Sequence, residues 1–144
     1  VLLYSSWRYK EIHGKSQCPG TLTPEWVPGV FDRRLVDYKN LGKLCPIGPR
    51  DLVVVATAGH KSDIDVVIQA MRAKPAYLGC LGSRRKTAFV RARLEQEGFT
   101  QEQINTLHLP IGVAIEAEDP EEIAISIAAE MIHLRRTKLI PRKR

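Results

Sequence analysis

The sequence predicts an α/β protein: a parallel sheet in three layers, with helices on both faces. Three observations carry this. Residues 51–57 (Asp-Leu-Val-Val-Val-Ala-Thr) form a continuous apolar, β-branched run, as a strand buried on both faces requires. A second short apolar run, Ala76 to Leu81, follows it. Between the two lies a helical stripe, Ile64, Val67, Ile68 and Met71. Strand-length and helix-length patterns then keep alternating, as βαβ units do.

Val1-Leu2-Leu3-Tyr4 suits a strand. The rest of residues 1–28 reads as loop, with Pro19, Pro24 and Pro28 and the turn Cys18-Pro19-Gly20. Val30-Phe31-Asp32 is a short strand ending in an acid, followed by Arg33 and Arg34. After the strand at 51–57, Ala58-Gly59-His60-Lys61 is a turn, and Ser62 or Asp63 caps the next helix, which Pro75 stops. The second buried strand runs through Gly82 into a helix capped by Ser83 and ended by Gly98. Thr100 to Gln103 is a capping box before a short helix with Ile104 and Leu107 inward. His108 to Val113, with Pro110 and Gly112, is a strand and turn. Asp119-Pro120-Glu121-Glu122 starts a last helix to about Leu134. Its apolar face holds Ile123, Ile127, Ala128 and Met131.

At 144 residues the chain holds one core, read as a loop-rich segment 1–29, a folded unit 30–136 and a basic tail 137–144. The net charge of +6 hints at nucleic acid, but its placement argues against it. Six of the 22 basic residues lie in the last ten, which leaves 16 basic against 16 acidic in the body. Few aromatics accompany them, so no nucleic-acid face is expected. No apolar run approaches the roughly 18 residues that span a bilayer, and no signal peptide is apparent, so no membrane contact is expected. Cys18, Cys45 and Cys80 are odd in number and far apart, which suits reduced thiols in the cytoplasm. No CxxC pair is present, so no metal site is expected.

The chemistry-bearing residues fall at the turns after the strands, where ligands bind in open parallel sheets. The densest turn is Gly82-Ser83-Arg84-Arg85-Lys86. Three cations there oppose the helix dipole, which favours anions at this end. Free N–H groups with cations suit a phosphate or carboxylate; a solvated basic helix start is the plain alternative. Thr57, Gly59, His60 and Asp63 bring a hydroxyl, a close-approach backbone, an imidazole and a carboxylate into one turn. His60 can act as acid, base or ligand, or simply as a hydrogen-bonded turn histidine. Lys61 reads as a surface residue. Asp32, at a strand end, is where a dinucleotide fold contacts ribose, but no GxGxxG precedes it. Cys80 reads as core and Glu130 as a surface charge. No catalytic residues are assigned: neither a P-loop, an HExxH nor a nucleophile elbow is present.

The chain resembles the C-terminal Rossmann-like domain of the XdhC/CoxI family, accessory proteins of molybdenum hydroxylases such as xanthine dehydrogenase. Four blocks carry the resemblance: VVVATAGHKSD (53–63), AYLGCLGSRRK (76–86), LHLPIGVAIEAEDPEEIAISIAAEMI (107–132) and, more weakly, VFDRR (30–34). It implies a Rossmann-like sheet, incomplete at its first βα unit because the glycine-rich GAGH-like turn is missing. It implies a maturation chaperone that binds molybdenum cofactor (molybdopterin, in bacteria often the cytosine dinucleotide), supports its sulfuration and helps insert it. Gly82, Ser83, Arg84, Arg85 and Lys86 would hold the phosphate, and Thr57, Gly59, His60 and Asp63 would face the pterin or shape the cleft. An apo molybdenum hydroxylase and a cysteine desulfurase would be partners, with a homodimer as a further expectation. Two alternatives stay open: an NAD(P)- or nucleotide-binding oxidoreductase domain, with Asp32 on the ribose, and a docking domain for the hydroxylase.

Overall fold

The apolar run at the centre of the sequence becomes the strand that divides the core. The computed structural model describes residues 2–5, 8–14, 32–57 and 60–139, and the side chains of 37–57, 62–83 and 85–137. Among the described residues, six strands make one sheet: β1 (Leu2–Ser5), β2 (Arg8–Gly14), β3 (Asp32–Val36), β4 (Leu52–Val55), β5 (Tyr77–Cys80) and β6 (Leu107–His108). Five α-helices accompany them there: α1 (Leu41–Leu44), α2 (His60–Ala73), α3 (Arg84–Gln96), α4 (Gln101–Asn105) and α5 (Pro120–Leu134). A π-helical turn, Arg135–Leu139, prolongs α5. The strand order is β3-β2-β1-β4-β5-β6.

β4, β5 and β6 pair in parallel through helical crossovers, as the sequence predicts. β1 runs antiparallel to both β2 and β4, so the sheet is mixed. The reason is connection length. Only Ser6 and Trp7 separate β1 from β2, and a parallel pair needs a crossover of a dozen residues or more. Arg8–Gly14, read from sequence as loop, is thus a strand; residues 15–31 lie outside the described residues.

The pleat sorts side chains into two cores. On one face Val53, Val55, Leu78 and Cys80 meet Val67, Met71, Val90, Leu94 and Ile104 from α2, α3 and α4. On the other, Leu52, Val54 and Tyr77 meet Ile111, Leu134 and, partly buried, Ile127 and Met131 of α5. A strand used on both faces has no room for a polar residue, which is why β4 reads as an unbroken apolar run.

The caps predicted for α3, α4 and α5 form. Ser83 Oγ accepts from Lys86 N at 3.4 Å. Thr100 and Gln103, and Asp119 and Glu122, make reciprocal capping boxes. Gly98 follows the end of α3 with φ +84°.

Four further elements differ from the sequence reading. α2 begins at His60, so Ser62 and Asp63 lie inside its first turn and neither caps it. Leu107 opens β6 rather than closing the short helix. The strand expected at Val30–Asp32 is β3, and it starts at Asp32. Val30 and Phe31 lie outside the described residues. Arg33 and Arg34 continue the strand, which stands at the edge of the sheet among the described residues. Finally, the buried stripe of α5 is rotated: Ser126 and Leu134 are buried, whereas Ala128 is exposed.

Candidate functional site

The loops after β4, β5 and β6 meet at the carboxyl edge of the sheet. Leu81 N donates to Val55 O at 2.8 Å, and Ile111 N to Cys80 O at 3.2 Å. Two polar clusters are built there, one on each face.

The first joins α2 to α3. Asp63, 1% exposed, accepts from Thr57 N at 3.1 Å through Oδ1. Its Oδ2 takes Lys86 Nζ, which also donates to Leu81 O. The Lys86 side chain is 8% exposed. Lys86 was expected to face a ligand with Arg84 and Arg85; it is instead folded back beneath the turn and neutralised by Asp63. Asp63, expected to face the pterin or to shape the cleft, is turned inward beneath the turn. The reason is that a carboxylate so deeply buried requires a counter-charge, and Lys86 is within reach.

Gly82 serves this arrangement. A Cβ there would meet Lys86 Cδ at 2.5 Å, so the missing side chain is the passage for the lysine stem. Cys80 lies beside the pair, fully buried. Burial pushes its thiol up to about 11; nearby Lys86 pulls it down and Asp63 pushes it up. Such a thiol is inert near neutral pH, as expected of a core cysteine.

With Lys86 withdrawn, the opening of α3 keeps Ser83 and Arg85, both exposed. The first-turn N–H groups of Arg84 and Arg85 have no intrahelical acceptor. The Arg84, His60 and Lys61 side chains, and Ala58 and Gly59 altogether, lie outside what is described. Thr57 is half-buried beside Asp63. Asp32 does not join the site. β3 runs in the same direction as β4, so its first residue stands at the amino edge, opposite the turns.

The second cluster was missed by the sequence reading. Glu130 of α5, 17% exposed, accepts from Tyr77 Oη at 2.5 Å and from Gly112 N at 2.8 Å, and pairs with His108 Nδ1 at 2.8 Å. Burial raises the Glu130 pKa, but hydrogen bonds from Tyr77, Gly112 and His108 outweigh it, and the net direction is down. Burial and the same carboxylate hold the Tyr77 phenol far above its ordinary value. Gly112 has φ +98°, and a Cβ on it would collide with Ser126 Oγ, so only glycine fits under α5 there. Glu130 is therefore not a surface charge; it clamps the loop after β6, in which the Leu109–Pro110 peptide is cis. Its position, at helical spacing from Ile123, Ile127 and Leu134, was the available signal.

Among the described residues, no three His, Cys, Asp or Glu side chains are grouped to hold a metal ion, and no helix is long and apolar enough to cross a membrane.

Parallel β4–β6 with crossover helices α2, α3 and α4 on one face and α5 on the other, and a helix N-terminus opening at the carboxyl edge, define a Rossmann-type domain. The chain belongs to the XdhC Rossmann domain family, whose model matches residues 9–131. It is 37% identical over 89 residues to the uncharacterized protein YqeB of Escherichia coli (strain K12), covering 62% of this chain and 16% of that protein. It is 27% identical over 105 residues to the molybdenum cofactor insertion chaperone PaoD of the same organism, covering 73% of this chain and 33% of that one. A probable xanthine dehydrogenase subunit of Bacillus subtilis (strain 168) is 32% identical over 88 residues, covering 61% of this chain and 24% of that protein. The chain thus spans a third or less of the length of these relatives. Among solved structures, one described as a xanthine dehydrogenase from Bacillus halodurans superposes with a TM-score of 0.73 at 24% identity, over 90% of this chain and 43% of that one. That likeness concerns the fold.

Proposed function

We propose that this chain is the cofactor-binding part of an accessory factor for a molybdenum hydroxylase of the xanthine dehydrogenase type. It binds rather than turns over: it holds molybdenum cofactor, assists its sulfuration and hands it to the apo-enzyme. Family membership and the likeness to a cofactor insertion chaperone support this. The single observation that carries it is the opening of α3, where exposed Ser83 and Arg85 stand beside backbone donors that lack an intrahelical acceptor, at the carboxyl edge. These groups suit the phosphate of a pterin cofactor, whether molybdopterin or its cytosine dinucleotide. Gly82, Lys86 and Asp63 shape the turn, and Thr57, Gly59 and His60 would face the pterin or shape the cleft beside it. The recipient would be an apo molybdenum hydroxylase in the cytoplasm, and the sulfur source a cysteine desulfurase.

The dinucleotide alternative loses its ribose contact, because Asp32 stands at the wrong edge. Anaerobic calorimetry with molybdopterin tests the reading. Arg84→Ala with Arg85→Ala should weaken binding at least ~10-fold, since a charge-assisted hydrogen bond is worth about 1.5–3 kcal/mol. Equal binding by this variant overturns the phosphate site. Micromolar binding of NAD(H) in place of the pterin would favour the oxidoreductase alternative.

A further inference from the structure

The face of α5 turned away from the sheet carries an unusual pattern. Ile125 is 63% exposed and Ile132 52%. Ala128 and Ala129 between them are exposed, as are Glu121 before and Arg136 after. At 100° per residue the five on α5 fall on one stripe, opposite the inward positions Ser126, Glu130 and Leu134, and Arg136 follows in the π-helical turn that prolongs the helix. The stripe is also a palindrome in chemistry. Reversed about the Ala128–Ala129 bond, Ile125 exchanges with Ile132, and acidic Glu121 with basic Arg136. Glu122 is held in its capping box, which leaves Glu121 as the outward acidic end.

An antiparallel copy of the same helix satisfies every position of such a stripe. Ile125 meets Ile132 of the second copy, the alanines let the backbones approach, and Glu121 meets Arg136 twice. That is the self-complementarity an isologous two-fold interface demands. A different partner would not require the mirrored order. We infer that α5 is the dimer interface of this chain, with a second copy packed antiparallel on its outer face. One helix pair lies at the small end of protein interfaces, below ~1,200 Å². The association is therefore reversible, with a dissociation constant on the order of micromolar. Because α3 packs on the opposite face of the sheet, dimerisation leaves Ser83 and Arg85 open.

Sedimentation velocity of the chain across a concentration series is the test. A monomer–dimer equilibrium is expected. Glu121→Arg alone, or Arg136→Glu alone, places like charges together twice and should weaken the dimer at least ~10-fold. The two together re-create the pairing and should restore it to within about threefold of the parent. The double variant carries both unfavourable helix ends, so its recovery cannot come from helix stability; circular dichroism melts document this. Ile132→Glu should leave a monomer. A chain that is monomeric at every concentration, which would leave the face to another partner, overturns the inference. So does a dimer indifferent to Ile132→Glu, or single charge reversals that the double variant fails to rescue.

Discussion

Two carboxylates are buried at the same edge of the same sheet, one per face, and they are satisfied in opposite ways. Asp63, beneath α2 and α3, has one full counter-charge in Lys86 and one backbone donor in Thr57. Glu130, beneath the loop after β6, has a phenol, a backbone N–H and an imidazole. The first is almost dry; the second keeps 17% of its side chain exposed. The contrast teaches where each site is brittle. An ion pair concentrates its stabilisation in one partner, whereas a carboxylate with several donors spreads it. The Asp63–Lys86 pair welds the turn that opens α3 to α2. The Glu130 cluster positions a loop and tolerates the loss of one donor.

The sharpest way to break this comparison is Lys86→Met. It leaves the Asp63 charge buried and uncompensated, and should cost about 3–5 kcal/mol in urea unfolding. Adding Asp63→Asn should recover much of that loss. A cost below ~1 kcal/mol for Lys86→Met would show that water reaches the pair. Next comes Glu130→Leu, which strands the Tyr77 hydroxyl and the Gly112 N–H; a loss of about 2–3 kcal/mol is expected by the same measurement.

Glu130 also makes a pH prediction. Its pKa is lowered in the folded state, so the folded protein resists protonating it. The stability it contributes is fully present above the ordinary carboxylate range and is lost as pH falls through its depressed folded value. Melting temperatures taken down the acid limb should therefore fall more steeply for the parent than for Glu130→Gln. Parallel curves would mean that other carboxylates dominate acid unfolding. The smallest effect is that of Tyr77→Phe. With His108 and Gly112 still serving Glu130, removing one donor should cost about 1 kcal/mol. A loss equal to that of Glu130→Leu would show that the three donors act as one unit rather than sharing the carboxylate between them.

Much of the fold was legible in residue order. β4 and β5 announced themselves as short unbroken apolar runs, because a strand covered on both faces leaves no polar position. The starts of α3, α4 and α5 were legible because capping is local: Ser83, Thr100 and Asp119 each bond within three residues. The helix opening at the carboxyl edge was likewise a local pattern of glycine, serine and arginine. What escaped was long-range. Arg8–Gly14 has no clean alternation, and it is a strand because β1 and β3 flank it.

The sequence by itself determined the alternation of strands and helices from β4 onward, the caps of α3, α4 and α5, and the family to which the chain belongs. These depend on periodicity and on bonds between neighbours a few residues apart. Only the tertiary structure decided which charges face solvent. Lys86 reads as one of three equal cations until α2 brings Asp63, 23 positions away, beneath it. Glu130 reads as a surface acid until Tyr77, 53 positions away, is laid against it by the sheet. Burial and pairing of a charge are set by what the fold carries to it, and no window of neighbouring residues contains that information.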